Sequence, residues 1–423
     1  MNEYIAQISF AVLILVFVIG AFKKNPIQIG ILGFAAAFLL GKVSGYKDAD
    51  IMKFFPTVLF VRLFCILFFF SIPQVCGSIE LLAKKMVTKF KCSQRYMPFV
   101  LFFTGFILVS CGVQNTACTA ILTGVAISIA LSMKANPQLF ALSAALGNCC
   151  GSYSPINEFA SNIAFACETA GLTYSPNLVY GLNLIAYGVT FLAVYFFFGG
   201  YKVPAENQVV DRNQKLEKFN RRQIISLIGI PVIVALVLIL NVDVGWAALI
   251  VAIACILLGA APCTAVLKGV SLNLLILICG IGTLVNIIGE LGAFGVLSGL
   301  LASVMNSVTM TPLMCLTSSI FSLFTLGRLV ILTLVPTLPE MLAKIPNVSS
   351  IILISGVSGA ALSASVGPLS TTGALIMANL TQMEGEEKGT SYYNKQLLAG
   401  VFCAVVFAAV YLVLGLLLGG MIQ

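Results

Sequence analysis

Residues 147–164, GNCCGSYSPINEFASNIA, interrupt an apolar run that is otherwise long enough to cross a bilayer. Gly147, Asn148, Gly151, Ser152, Ser154, Pro155 and Asn157 all disfavour a helix interior, through backbone entropy, competing side-chain hydrogen bonds or a missing N–H. A second apolar run is interrupted at residues 363–380, SASVGPLSTTGALIMANL, around Gly367-Pro368. Hydrocarbon cannot satisfy the N–H and C=O groups that a broken helix frees. Such breaks survive only where protein buries them or where they line an aqueous cavity. Ser154-Pro155-Ile156 and Gly367-Pro368-Leu369 stand at equivalent points of the two halves, and paired interruptions of this kind point to the binding site of a transporter.

The composition agrees with a chain that lives in lipid. Hydrophobic residues make up 60% of it and charged residues 9%, with a mean hydropathy of +1.06. No cleavable leader is expected, because residues 4–22 are apolar for long enough to span and Lys23-Lys24 follow them rather than precede them. The 13 cysteines fall mainly in apolar segments, as small buried hydrophobes rather than a disulfide framework. Histidine is absent, which removes histidine metal sites and Ser-His or Cys-His catalysis. The net charge of +8 lies mostly in loops and suggests no nucleic-acid surface.

Apolar runs and breakers predict spans at 4–22, 27–43, 54–75, a broken one at 138–170, and 176–200. Residues 201–222 read as a polar linker, and the pattern then resumes at 223–241, 244–262, 270–289, a broken span at 347–380, and 396–420. Between the third and the broken span of each half, residues 97–132 and 308–338 are expected to turn back as re-entrant hairpins. The expected fold is all-α and integral to the membrane, with about ten transmembrane helices in two repeats, 1–200 and 223–423. An odd number of spans per half inverts the second half relative to the first.

Of the 23 lysines and arginines, Lys42, Lys47, Lys53 and Lys344 fall on one side, Arg62 and Arg328 lie within apolar segments, and the other 17 share the opposite side. That bias places the linker in the cytoplasm and both termini outside, in a bacterial-type inner membrane. Hairpins that cross twice give the same loop sides, so that alternative stays open. Ahead of each hairpin an amphipathic stretch fits an interfacial helix: Ile79, Leu82, Met86 and Phe90 share one face at 78–91, and Phe294, Leu297, Leu301, Val304 and Met305 do so in the counterpart.

The residues able to carry chemistry cluster at the hairpin centres and the breaks. Asn115 and Thr116 offer neutral oxygens where the first hairpin turns, the ligand set for a dehydrated Na⁺ or a substrate hydroxyl. Both are also good helix caps, so they either cap the returning arm or bind, or do both. With Gly147, Asn148 and Gly151 at the first break they form the expected Na⁺ site. Glu158 is a carboxylate deep in a span, a functional-site hypothesis by default, with pairing to a buried arginine as the architectural alternative. Arg328 is the obvious partner, and its planar fork suits a substrate carboxylate equally well. Ser370, Thr371 and Thr372 supply hydroxyls beside a half-helix N-terminus that favours an anion. Ser154, Pro155, Asn157, Thr325, Gly367 and Pro368 complete the expected substrate lining. Arg62, Glu80 and Glu290 lie nearer predicted helix ends and read as solvated or snorkelling.

GSYSPINEF (151–159) and GPLSTTGALIMAN (367–379) are similar to the paired signatures of the malonate/dicarboxylate carrier family, within the ion transporter superfamily that includes the divalent anion–sodium symporters. SIPQVCGSIELLA and CGIGTLVNIIGELGAFGVLSGLLA also resemble that family. The resemblance implies a homodimer with scaffold and transport domains, two opposed hairpins, and elevator-type movement of a substrate held between hairpin tips and helix breaks. The symporters' Ser-Asn-Thr hairpin signature is present only as Gln114-Asn115-Thr116, and Phe324-Thr325-Leu326-Gly327-Arg328 departs from it. The expected activity is secondary transport of a small organic anion, a dicarboxylate, driven by Na⁺ or H⁺, with no bound cofactor. No Walker motif is present for ATP-driven transport. An ion antiporter of the same superfamily is the nearer alternative. A membrane enzyme acting on a lipid-linked substrate is the remoter one, since interfacial acidic or histidine clusters are missing.

Overall fold

Apolar runs that must satisfy every backbone group within lipid leave helices as the economical solution, and the computed structural model is built of helices joined by turns, with no strand among its described residues, 3–21, 27–89, 94–202, 217–240, 242–294, 299, 305–324, 326–384 and 386–419. The first half runs α1 (Glu3–Ala21), α2 (Ile29–Val43), α3 (Asp48–Lys53), α4 (Thr57–Val75), α5 (Ser78–Lys89), α6 (Met97–Ser110), α7 (Asn115–Ser132), α8 (Pro137–Gly151), α9 (Glu158–Thr169) and α10 (Pro176–Phe197). The second half runs α11 (Arg221–Leu240), α12 (Val244–Leu257), α13 (Cys263–Gly269), α14 (Leu272–Glu290), α15 (Met310–Phe324), α16 (Gly327–Leu334), α17 (Leu338–Lys344), α18 (Ser350–Ser363), α19 (Thr371–Glu384) and α20 (Glu386–Leu418). Among the described residues, six segments are long and apolar enough to cross a bilayer: α4, α7, α10, α14, residues Ser350–Thr381, and Tyr392–Leu418 within α20.

The halves pack through matching pairs. α2 lies on α14 and α4 on α12; α6 lies on α8 and α15 on α18. The second arm of each hairpin crosses to the other half, α7 against α19 and α16 against α9. One hydrophobic cluster joins α4 to α11, α12 and α13 through Ile66, Phe69, Ile72, Ile233, Val251 and Val266, and it also takes in Ile156 from the first break. The larger cluster runs through the hairpins, the broken helices and α10 and α20, and reaches α2 and α14. The α2–α14 crossing is unusually close: a Cβ on Gly280 would lie 1.9 Å from the Gly30 carbonyl oxygen, and one on Gly30 would lie 2.3 Å from that of Ile276.

The first break begins later than the sequence suggests. α8 continues through Gly147 and Asn148 to Gly151, and the chain leaves the helix only at 152–157. A Cβ on Gly147 would lie 2.0 Å from the Phe102 carbonyl oxygen, and one on Gly151 2.6 Å from that of Phe106. Gly105, facing them from α6, would meet Asn148 Oδ1 at 2.4 Å. These glycines let α6 and α8 approach backbone to backbone, and that packing outweighs their poor helix propensity.

Other boundaries also move. The second hairpin runs beyond residue 338 through a 3₁₀ turn, Val335–Thr337, into α17, and α20 begins ten residues before the expected 396. α3 and α13 fall outside every expected span; at six and seven residues they carry no readable hydrophobic period. Of the expected apolar face of α5, Ile79 is buried and Leu82 half-buried, Phe90 lies outside the described residues, and on the polar side Lys84 reaches Glu80 at 2.7 Å. Leu297, Leu301 and Val304 of its counterpart, and most of the linker, lie outside the described residues. Arg62 is paired rather than merely solvated: its Nη2 is 2.9 Å from Asp243 Oδ2, tying α4 to the start of α12.

Candidate functional site

At the first hairpin the chain turns between α6 and α7 over residues 111–114. Gly112 takes φ +98°, and Phe70 of α4 occupies the place where a Cβ would stand, with its ring 2.1 Å away. Asn115 is the first residue of α7, and the cap position belongs to Gln114, which makes no side-chain cap bond. The capping role expected of Asn115 and Thr116 is therefore not theirs. The amide of Asn115 donates to Ser152 Oγ at 2.8 Å, and its oxygen accepts from Thr119 at 3.0 Å. Asn148 donates to Thr119 Oγ1 at 3.0 Å and accepts from the Cys118 thiol at 3.3 Å. The first hairpin is thus fastened to α8 by a buried, mutually satisfied network.

The first break is held from three directions. Asn157 caps α9 by accepting from the Phe159 N–H at 3.0 Å, and donates to the carbonyls of Val109 and Val113 at the end of α6 and in the turn. Tyr153, fully buried, lies 3.0 and 3.1 Å from the Ser358 and Gly359 carbonyls of α18. Ile156 reaches the α4 cluster. At the second break a 3₁₀ turn, Ala364–Val366, leads to Gly367, and Ser370 Oγ donates to backbone carbonyls of the turn while standing 3.5 Å from the Gly373 N–H. A Cβ on Gly373 would sit 1.9 Å from the Gly367 carbonyl oxygen, so the turn closes only on glycine.

Between these parts lies a cavity of about 40 Å³, lined by Asn115, Thr116, Phe159, Leu326, Gly327, Arg328, Leu362, Ser365, Ser370, Thr371 and Thr372. Four helices begin at it: α7, α9, α16 and α19. The two hairpin arms, α7 and α16, start without a side-chain cap from their N-cap residues, Gln114 and Leu326, so their first-turn N–H groups are uncapped among the described residues. Helix N-termini carry partial positive charge, so the cavity is a place for an anion. Thr116, Leu326 and Arg328 also form the boundary with an open cleft of about 390 Å³ that Gln28, Gln114 and Asn273 help to line.

Glu158 and Arg328 meet across the two halves. The Arg328 Nη2 donates to Glu158 Oε1, with the Glu158 side chain 2% exposed and that of Arg328 11%. Glu158 is the first residue of α9, where the helix dipole favours a carboxylate. Arg328 is at the start of α16, where the same dipole disfavours a cation. Glu158 Oε2 and Arg328 Nε have no partner among the described residues.

Of the residues picked from sequence, Asn115, Thr116, Arg328, Ser370, Thr371 and Thr372 come together at the cavity, and Glu158 joins them through Arg328. Gly147, Asn148, Gly151, Ser154, Pro155, Asn157, Gly367 and Pro368 support the frame around it and are not among its lining. Thr325 lies outside the described residues. Phe159, Leu326, Leu362 and Ser365 line the cavity without having been singled out, since apolar residues beside a break look like ordinary core. Tyr153 was legible in principle: a tyrosine inside a break within lipid must find a partner for its hydroxyl.

Residues 1–152 match the dicarboxylate carrier family. The model concerned describes the N-terminus of dicarboxylate carrier protein MatC, and it bears out the resemblance read from the sequence over that part of the chain. No curated protein matches the chain significantly. Among solved structures, the YdaH transporter of Alcanivorax borkumensis is similar with a TM-score of 0.64, at 14% identity and over 97% of each chain. At that identity the likeness speaks for the fold. The matched family is one of carriers, and the chain has the several long apolar helices of a multi-pass membrane protein.

Proposed function

We propose that this protein carries a small dicarboxylate across a bacterial-type inner membrane as a secondary carrier, driven by Na⁺ or H⁺. The observation that supports this most is the convergence of four helix N-termini and one arginine on a single cavity. A carboxylate there gains from the uncapped N–H groups of α7 and α16, from the hydroxyls of Thr371 and Thr372, and from the fork of Arg328. For Na⁺, the oxygens at hand are those of Asn115, Thr116 and Asn148 on the first-hairpin side. The cross-half pairings of α7 with α19 and α16 with α9 support two inverted five-span repeats with re-entrant hairpins. In that arrangement a substrate held between the hairpin tips travels with them in an elevator-type cycle, in a homodimer whose scaffold includes α2, α4, α12 and α14.

Purified protein reconstituted in liposomes tests the proposal. Radiolabelled malonate and succinate are offered with an imposed Na⁺ gradient, an imposed H⁺ gradient, or neither. Uptake of at least one dicarboxylate that rises with one gradient is expected. Uptake no greater than that of empty liposomes under all three conditions rejects it.

A further inference from the structure

We infer that Glu158 stands in, within the empty carrier, for one carboxylate of the substrate, and that the substrate displaces it from Arg328 while Glu158 takes up a proton. The inference rests on the dicarboxylate reading above and adds the residue that couples binding to protons.

The pair is built unlike an architectural ion pair. An arginine and a carboxylate that serve only to hold two helices together reach their best geometry as a two-pronged contact with every atom bonded. Here one guanidinium nitrogen meets one carboxylate oxygen, while Glu158 Oε2 and Arg328 Nε lack partners among the described residues. Arg328 stands where its own helix repels it, so its place is explained by an anion in front of it rather than by its helix. Of the three residues shared by the closed cavity and the open cleft, Thr116, Leu326 and Arg328, it alone is charged, so an anion arriving through the cleft is drawn to the guanidinium.

The space gives the second argument. With the pair closed the cavity holds about 40 Å³, room for a few waters and not for a dicarboxylate. Substrate enters only if something that lines or faces the cavity gives way, and a singly bonded carboxylate is the group with least to lose. Once displaced, Glu158 is a buried carboxylate without a counter-ion beside a dianion, an arrangement that low dielectric forbids. Few groups are placed to neutralise it. Among the described residues, the titratable or permanently charged groups on the elements packed against α9 are Arg328 on α16, Arg62 and Cys65 on α4, Cys279 and Glu290 on α14 and Tyr153 of the break, whose ring meets Phe159, with none on the 335–337 turn; α9 itself adds Cys167 and Glu168 at its far end. Arg62 is held by Asp243 at 2.9 Å. The proton comes from water in the cleft: the carboxylate becomes a carboxylic acid, Arg328 keeps its charge, and no other group changes.

Calorimetric titration of detergent-purified wild-type protein with malonate and with succinate, in two buffers of different ionisation enthalpy, counts the protons. About one proton taken up per dicarboxylate is expected, with the apparent Kd rising about tenfold between pH 7 and pH 8. Glu158→Gln is expected to bind at least tenfold more tightly at pH 8 and to take up no proton. Binding by wild type without proton uptake overturns the inference and leaves the dicarboxylate reading standing. So does a folded Glu158→Gln protein that retains the proton count or binds more weakly than wild type. Should Glu158→Gln fail to fold, the wild-type proton count and pH series decide alone. Absence of binding of either dicarboxylate to wild type removes the dicarboxylate reading, and this inference with it.

Discussion

The two helix breaks occupy corresponding places, yet their polar groups are deployed differently. In the first half, Asn115, Thr119, Asn148, Ser152 and Asn157 bond to one another or to backbone carbonyls of α6, and glycine-lined contact presses α6 onto α8. In the second half, Ser370 caps its own turn, while Thr371 and Thr372 line the cavity and Arg328 reaches across with one nitrogen unpartnered among the described residues. Symmetry of position is therefore not symmetry of role. In the proposed reading the first half furnishes the seat and the N–H groups of α7, and the second half furnishes the hydroxyl and guanidinium donors. A pair of similar motifs in such a chain need not be a pair of similar sites.

The sharpest way to break that comparison is at Arg328. Arg328→Lys keeps the charge but loses the fork, and dicarboxylate uptake is expected to fall roughly a hundredfold with the folded yield unchanged. Wild-type uptake by that variant would strip the second half of its special role. Next comes the seat. Gly147→Ala drives a Cβ toward the Phe102 carbonyl and is expected to cost about 1–3 kcal/mol, read as a lowered Tm in detergent. Gly188→Ala in α10 meets nothing within 4 Å and serves as its neutral partner. An equal Tm for the two variants would mean that the α6–α8 contact is looser than its geometry.

Asn115→Ala distinguishes seat from site more finely. Removing its amide leaves Ser152 and Thr119 each short of a partner, so a loss of about 1–2 kcal/mol in stability is expected, with the KM for the dicarboxylate at saturating Na⁺ changed less than about threefold. A large rise in KM at unchanged Tm would move Asn115 from frame to binding site. The smallest effect belongs to Thr372→Val, which is nearly isosteric. There KM should rise several-fold with Tm unchanged, the loss of one hydroxyl contact to an anion.

Much of this was legible in the residues, for a physical reason. A charge or a Gly-Pro step inside an apolar run has few ways to exist in lipid, so Glu158, Arg328 and Gly367-Pro368 declared themselves. Gly147 and Gly151 did not, because propensity is a weak prior and the partner that decides their role, the α6 backbone, lies some forty residues away in sequence. The meeting of Glu158 with Arg328 was one of two readings the residues left open, the other being a substrate carboxylate on Arg328. The arrival of four helix N-termini at one point was not legible, because it depends on how α7 and α16 cross between the halves, and no local pattern records that. The short helices α3 and α13 were invisible for want of a full period.

The glycine crossing of α2 and α14 has a mechanical consequence. With the Gly30 carbonyl lying where a Cβ of Gly280 would be, no layer of side chains separates the two backbones at that point. Rotamer changes cannot accommodate sliding there, because there are no rotamers to change; a displacement along either axis would bring Leu277 or Ile281 against a bare carbonyl. The joint is keyed, and the two helices carry load as one strut. Compliance must be found where side chains do intervene: at Phe70 beneath Gly112, at Ile156 in the α4 cluster, and where α9 meets α4 and α16 meets α14. If the proposed elevator-type cycle holds, those seams set the friction of its stroke and the strut is the track on which it runs.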